Sequence, residues 1–288
     1  MLVTLAFFLI RVAPGGPFST EKPLPPEVIA NLEAKYHLNE PIWQQYLRYL
    51  GDVLQGDLGP SFNYADYTVN ELIANGFPVS FQLGLLAMLL ALLLGISAGT
   101  LAALRHNRAL DYGMMAVAMT GISIPNFVIA PLMILLFAVG LGWLPAGGLE
   151  KPTSWVLPVL SLALPQAAYI ARLIRGSLLE VLRAPYIRTA RAKGLPMPLI
   201  LWRHAARPAL LPVVSYLGPA MAGVLTGSVV IESLFGIPGL GRYFVQGALN
   251  RDYTLVMGVV VFYGVLIVLF NLLVDLAYGL LDPRVRYS

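Results

Sequence analysis

The chain contains no cysteine in its 288 residues. That excludes a disulfide frame, a thiolate nucleophile and a cysteine-ligated metal, and it leaves the redox compartment unread. Charge is scarce too. Asp, Glu, Lys and Arg make up 12% of the residues, against about 25% in soluble domains. No Gly-x-x-x-x-Gly-Lys-Ser/Thr stretch occurs, so the chain lacks the loop that surrounds nucleotide phosphates with backbone N–H groups and a lysine. His37, His106 and His204 lie in three different segments and form no His-Glu-x-x-His pair, which argues against a metal site.

What is abundant is apolar sequence, 58% of the chain. Residues 72–104, 112–149, 152–171, 208–231 and 253–274 hold no Asp, Glu, Lys or Arg. Each run reaches the roughly 20 residues that an α-helix needs to cross about 30 Å of hydrocarbon. The runs are continuous rather than alternating, and lipid forces backbone groups to pair within the segment, so helices are expected. Met1–Ile10 is too short, rising only about 15 Å, and no basic n-region of a signal peptide precedes it. It reads as part of a first span whose start is absent from the sequence. The expectation is an all-α polytopic membrane protein with five full transmembrane helices plus a truncated first one. Residues 1–13 form the partial first helix. Residues 14–78 form an extracytoplasmic segment with amphipathic helices over Glu27–Leu38 and from Pro41 to Leu54. Residues 79–288 form the transmembrane domain, with a cytoplasmic loop at 172–207.

Orientation follows from the basic residues. One set of connecting segments, with the C-terminus, carries twelve Lys and Arg against three acids, a net of +9. The opposite set carries six against eleven, a net of −5. Short basic loops stay in the cytoplasm, which places loops 105–111 and 172–207 and the C-terminus inside. The basic excess sits beside spans, so no nucleic-acid partner is expected.

Gly95-Ile-Ser-Ala-Gly99 matches a Gly-x-Ser-x-Gly nucleophile elbow, but an elbow needs a strand-turn-helix setting with histidine and acid partners. Inside an apolar run the same glycines make a face for close helix contact. Gly223 and Gly227 repeat that spacing and take the same reading. Gln166 and Tyr169 follow Pro158 and Pro165, a pattern suited to a kinked, cavity-lining helix or to tight packing between subunits. Asn271 and Asp275 sit four apart on one helix face. Gln166, Tyr169 and Asn271 are therefore candidate cavity-lining residues. Asp275 is either a functional group within a span or an interfacial carboxylate that water reaches.

The segment Tyr186–Leu195 is basic and ends on a glycine. Pro185 restarts the chain, Ile187, Ala190 and Ala192 permit close packing, and Gly194 suits a helix end. Together with Val12–Phe18, Leu24–Val28, Glu33–Leu38, Gly59-Pro-Ser-Phe62, Ala118-Met-Thr-Gly121, Arg203-His-Ala205, Phe235–Gly241, Leu249–Tyr253 and Leu281-Asp-Pro-Arg284, it carries a resemblance over the whole chain. The chain resembles the permease subunits of ATP-binding-cassette importers, in their peptide and nickel branch, and is most similar to the B-type oligopeptide member. The resemblance implies a type I importer permease fold. It implies a homologous second permease subunit, two ATP-binding subunits that hold ATP and Mg, an extracytoplasmic peptide-binding protein and a peptide substrate. No cofactor and no catalytic residue are implied in this chain. Such permeases carry a cytoplasmic Glu-Ala-Ala-x-x-x-Gly motif that docks on the ATPase. Arg188-Thr189-Ala190 stands at the first three positions here and Gly194 at the last. Arg188, Thr189, Ala190, Arg191, Lys193 and Gly194 are thus the expected coupling residues. The alternatives are a dipeptide or nickel permease of the same branch and a proton-coupled secondary transporter. The latter calls for inverted repeats or several paired ionisable groups in the spans.

Overall fold

A computed structural model describes residues 1–12, 25–64 and 66–281. Most of the Val12–Phe18 motif, Leu24 and the Asp282–Arg284 end of the last motif lie outside them. Twelve α-helices carry the described residues: α1 (Leu2–Val12), α2 (Pro26–Lys35), α3 (Ile42–Leu54), α4 (Val69–Leu104), α5 (Ala109–Ser123), α6 (Asn126–Met133), α7 (Val156–Leu182), α8 (Pro185–Ala192), α9 (Met197–Ile200), α10 (Ala206–Phe235), α11 (Leu240–Leu249) and α12 (Tyr253–Leu281). The described residues form no sheet beyond one isolated bridge between Pro60 and Thr68.

Four helical stretches are long and apolar enough to cross a membrane: Val69–Leu104, Pro152–Leu182, Met197–Phe235 and Tyr253–Gly279. The run expected at 112–149 is not one straight helix. It breaks at Ile124–Pro125 into two helices bent by 104°, and these make a fifth span when counted together. The proline ring crowds the residue before it out of the α region. Ile124 accordingly adopts φ −92° and ψ 120°. Past Pro131 the chain loosens into π-helical turns over Ile134–Gly140.

The chain divides into two units, with boundaries inside α4, between α10 and α11, and inside α12. The first comprises residues 1–79 and 238–265. In it Phe7 of α1 is fully buried against Tyr46 and Tyr49 of α3, with ring centroids 5.2 and 5.7 Å away. A link between residues far apart in sequence joins Ser61 to Asp252. The Asp252 carboxylate accepts hydrogen bonds from Ser61 Oγ at 2.5 Å and from the N–H groups of Phe62 and Asn63 at 3.1 Å. Its other oxygen accepts from Thr254 Oγ1 at 3.0 Å and Leu255 N–H at 3.1 Å, capping the start of α12. Five donors account for a carboxylate with no solvent exposure.

The second unit comprises residues 80–237 and 266–288. α7 is its hub, packing on α5, α6 and α10. Gly95 and Gly99 permit the approach of α4 to α7. A Cβ at Gly99 would lie 2.4 Å from the Ala171 carbonyl oxygen, and one at Gly95 would lie 2.7 Å from that of Ala167. The Gly-x-Ser-x-Gly string is therefore a helix contact, with Ser97 exposed in mid-helix. Gly223 differs: a Cβ there meets nothing within 4 Å of this chain, so the contact expected from the repeated spacing is not made internally. Pro158 lies in the first turn of α7, where its missing N–H would have no helical partner, and α7 runs unbroken through Pro165.

Candidate functional site

The segment after α7 folds back as α8, with Pro185 at its first position. It ends in a Schellman motif: Leu195 N–H bonds the Ala190 carbonyl at 3.3 Å, and Gly194 N–H bonds that of Arg191 at 2.9 Å. This closure needs a left-handed residue, and Gly194 has φ +75°. One face of α8 seats on its own chain. Ile187 and Ala190 are buried in a cluster with Ala103, Leu178, Ile200, Ala205 and Ala209. Ala190 thus anchors the helix rather than facing outward. Arg188, Thr189, Arg191, Ala192, Lys193 and Gly194 are exposed, beside an exposed Tyr186. Next along the chain, π-helical turns over Leu201–Ala205 leave Trp202 85% exposed. The outcome is a small basic platform held on an apolar mount.

The structure brings Gln166 and Tyr169 together with two residues that sequence reasoning missed. Tyr216 of α10 donates its hydroxyl to Gln166 Oε1 at 2.5 Å. Its ring stacks on Tyr169 with centroids 4.4 Å apart and planes 20° apart. Arg172 lies over the other member of the stack, 4.7 Å from the Tyr169 centroid. Gln166 also lines a cavity of about 150 Å³ beside Pro125, Asn126 and Gly223. Asn271 does not join this cluster. It packs on α10 at Gly218, where a Cβ would lie 2.9 Å from Asn271 Oδ1. Asp275 is exposed on α12.

A second polar centre was hidden among charges counted as loop residues. Asp111 has no solvent exposure. Arg175 of α7 grips both its oxygens, Nε to Oδ1 at 2.6 Å and Nη2 to Oδ2 at 2.8 Å. Asn107 N–H adds a bond at 3.0 Å and His106 Nδ1 lies 3.3 Å away. The bidentate pair fixes the start of α5 on α7. Glu232, directly after the uncharged run 208–231, lies buried inside α10 and accepts from Ser228 Oγ at 2.7 Å. Among the described residues no group of His, Asp or Glu is arranged to hold a metal.

Long apolar helices, one broken at a proline, together with a polar cluster between two of them and a basic helix mounted at the end of one of that pair, fit the membrane component of a transport system. The chain belongs to the family of binding-protein-dependent transport system inner membrane components, whose pattern matches residues 91–287. It is 55% identical over 289 residues to the oligopeptide transport system permease protein OppB of Haemophilus influenzae, covering all of this chain and 94% of that protein. The identity and coverage are the same for OppB of Salmonella typhimurium. The dipeptide transport system permease protein DppB of Bacillus subtilis is 49% identical over 286 residues, with 99% of this chain and 93% of that protein covered. Among solved structures, the inward-facing MetNI methionine ABC transporter aligns over 74% of this chain and 97% of its own, with a TM-score of 0.60 and 20% identity. That likeness speaks to the fold, a type I importer permease.

Proposed function

We propose that this chain is a pore-forming permease subunit of an ATP-driven oligopeptide importer in a bacterial cytoplasmic membrane, working by alternating access. The observation that carries the reading is 55% identity along the whole chain to oligopeptide permeases. The partners are a homologous second permease, two ATP-binding subunits and an extracytoplasmic peptide-binding protein. ATP and Mg bind to the ATP-binding subunits, and hydrolysis occurs there. The exposed face of α8, with Arg188, Thr189, Arg191, Lys193 and Gly194, docks on an ATP-binding subunit, and Ala190 seats the helix. Loops 105–111 and 172–207 and the C-terminus face the cytoplasm. Gln166, Tyr169 and Asn271 face the peptide path.

Purification in mild detergent followed by mass spectrometry tests the assembly; recovery of this chain without ATP-binding subunits would reject it. Cysteines at Gln166, Tyr169 and Asn271 are expected to react with small hydrophilic thiol reagents in a nucleotide-dependent way. Inertness in every nucleotide state means buried packing instead. The 49% identity to a dipeptide permease supports a second reading. Uptake of dipeptides but not longer peptides by the reconstituted complex would select it.

A further inference from the structure

We propose that Gln166, Tyr169, Arg172 and Tyr216 form a clamp for the main chain of the transported peptide. Gln166 and Tyr216 take a backbone amide, and Arg172 takes the C-terminal carboxylate. The proposal rests on the reading of this face as the peptide path.

The cluster gathers hydrogen-bonding groups where the sequence is otherwise apolar: residues 152–171 and 208–231 hold no charge, and Arg172 follows directly on the first run. A transporter that accepts many peptides has to hold what all peptides share, the amide groups and the terminal charge. A glutamine side chain offers both a donor and an acceptor, so it can match a peptide group. In this structure Tyr216 occupies the Gln166 acceptor. The Gln166 NH₂ donates to no described residue, and Gln166 lines the cavity beside Pro125 and Asn126. The arrangement is a closed one, in which Tyr216 stands where a peptide N–H would bond. Moving α10 away from α7 frees both groups at once.

Arg172 sets the register. It is exposed, and its guanidinium rests on the Tyr169 ring, leaving the N–H fork free of any carboxylate among the described residues. A guanidinium recognises a carboxylate through two parallel hydrogen bonds. Gln166 and Arg172 are six residues apart on α7, a rise of about 9 Å. An extended peptide advances about 3.3 Å per residue. Six residues also turn the two side chains about 120° apart around the helix, so the amide held by Gln166 lies at least two to three residues before the carboxylate, and the clamp matches peptides of three residues or more.

The test is a pair of chemical double-mutant cycles on the reconstituted full complex, read as peptide uptake. Such cycles cancel the binding protein's own preference, because only the coupling between ligand change and side-chain change is scored. A free-acid tripeptide and its C-terminal amide are compared in wild type and Arg172→Gln. Amidation is expected to cost wild type about tenfold more than it costs the variant, as suits a charged hydrogen bond. Arg172→Lys should keep part of that difference. A tripeptide N-methylated at its first peptide bond, set against Gln166→Leu and Tyr216→Phe, should show coupling of about threefold or more, as suits neutral hydrogen bonds. Additive effects, within about twofold in both cycles, overturn the clamp. Ser215→Cys supplies a measurement that leaves all four groups intact, since Ser215 is exposed and bonds only the Leu211 carbonyl. It should attack a tripeptide carrying an activated pyridyl disulfide during turnover, forming the mixed disulfide as thiopyridone leaves, and failure to do so counts against the clamp. A cysteine at Gln166 that reacts with small thiol reagents, alongside additive cycles, sinks the clamp alone. An inert cysteine there sinks the path reading as well.

Discussion

Replacing Gly194 separates what α8 needs from its own chain from what it needs from a partner. At φ +75° an L-residue is strained by about 1–2 kcal/mol. Asn tolerates this conformation better than Ala does. A Cβ at Gly194 meets nothing within 4 Å, so the chain itself imposes no steric limit beyond the backbone. Within the isolated subunit Gly194→Trp should therefore cost about the same 1–2 kcal/mol as Gly194→Ala. In the assembled transporter the two diverge if the helix end lies against an ATP-binding subunit. Gly194→Asn and Gly194→Ala should retain measurable uptake. Gly194→Trp should fall at least tenfold further, which is about 1.4 kcal/mol of extra cost. Its ATP hydrolysis should be lost or cease to respond to peptide. The assay is peptide uptake and peptide-stimulated ATP hydrolysis in proteoliposomes, with subunit stability measured alongside. Equal activities for the Ala and Trp variants would refute docking at this glycine, whatever the absolute loss.

Other outcomes follow from the same geometry. Single cysteines at Asn63 and Thr189 should label from opposite faces of intact cells, and labelling of both from outside removes the assigned orientation. Arg175→Met leaves Asp111 charged and buried, which should lower stability by about 3–5 kcal/mol, whereas Asp111→Leu with Arg175→Met should recover most of it; equal thermal midpoints for the single and double variants would contradict this. A Cβ at Gly99 sits 2.4 Å from a carbonyl oxygen, so Gly99→Val should cost about 1–3 kcal/mol of subunit stability, while Gly223→Ala should cost nothing in the isolated subunit. Similar losses for the two would mean that α4 and α7 are not in contact at Gly99.

The spans were legible because charge is costly in hydrocarbon, so its absence marks them. The break in the second run was not. Pro78, Pro131, Pro165, Pro212 and Pro219 all stay inside helices, yet the chain turns by 104° at Ile124–Pro125. Each reads in sequence as a proline in an apolar run, and only neighbouring helices decide whether the freed backbone is re-satisfied. The two Gly-x-x-x-Gly patterns show the same limit. Their spacing marks small faces, but only the partner surface distinguishes Gly99, pressed on α7, from Gly223, open in this chain. Pairings far apart in sequence left no signal at all. Asp111 and Arg175 were counted as loop charges, and Ser61 meets Asp252 from 191 residues away. The end of α8 was legible, since a glycine after a basic helical stretch carries its own stereochemistry.

The mounting of α8 gives the platform and the clamp a mechanical link. Ile187 has no solvent exposure and Ala190 only 7%, so α8 cannot slide over its own chain without opening the cluster that holds them. That cluster includes Leu178 of α7 and Ala209 of α10. α8 follows α7 after a two-residue link, and it leads to α10 through α9 and the π-helical turns. These are the same two helices that carry Gln166, Tyr169 and Arg172 on one side and Tyr216 on the other. Gln166 lies about 24 Å along α7 from its α8 end, a distance that a packed helix spans as a rigid element. A force on α8 that shifts Leu178 relative to Ala209 therefore acts across the Gln166–Tyr216 bond. The two helices pack on one another elsewhere as well, but at this point they are joined by one neutral hydrogen bond and one ring stack, each worth only about 1 kcal/mol. On the proposed function, that local contact is weak enough for nucleotide-driven closure of the ATP-binding subunits to open, and specific enough to reset when they part.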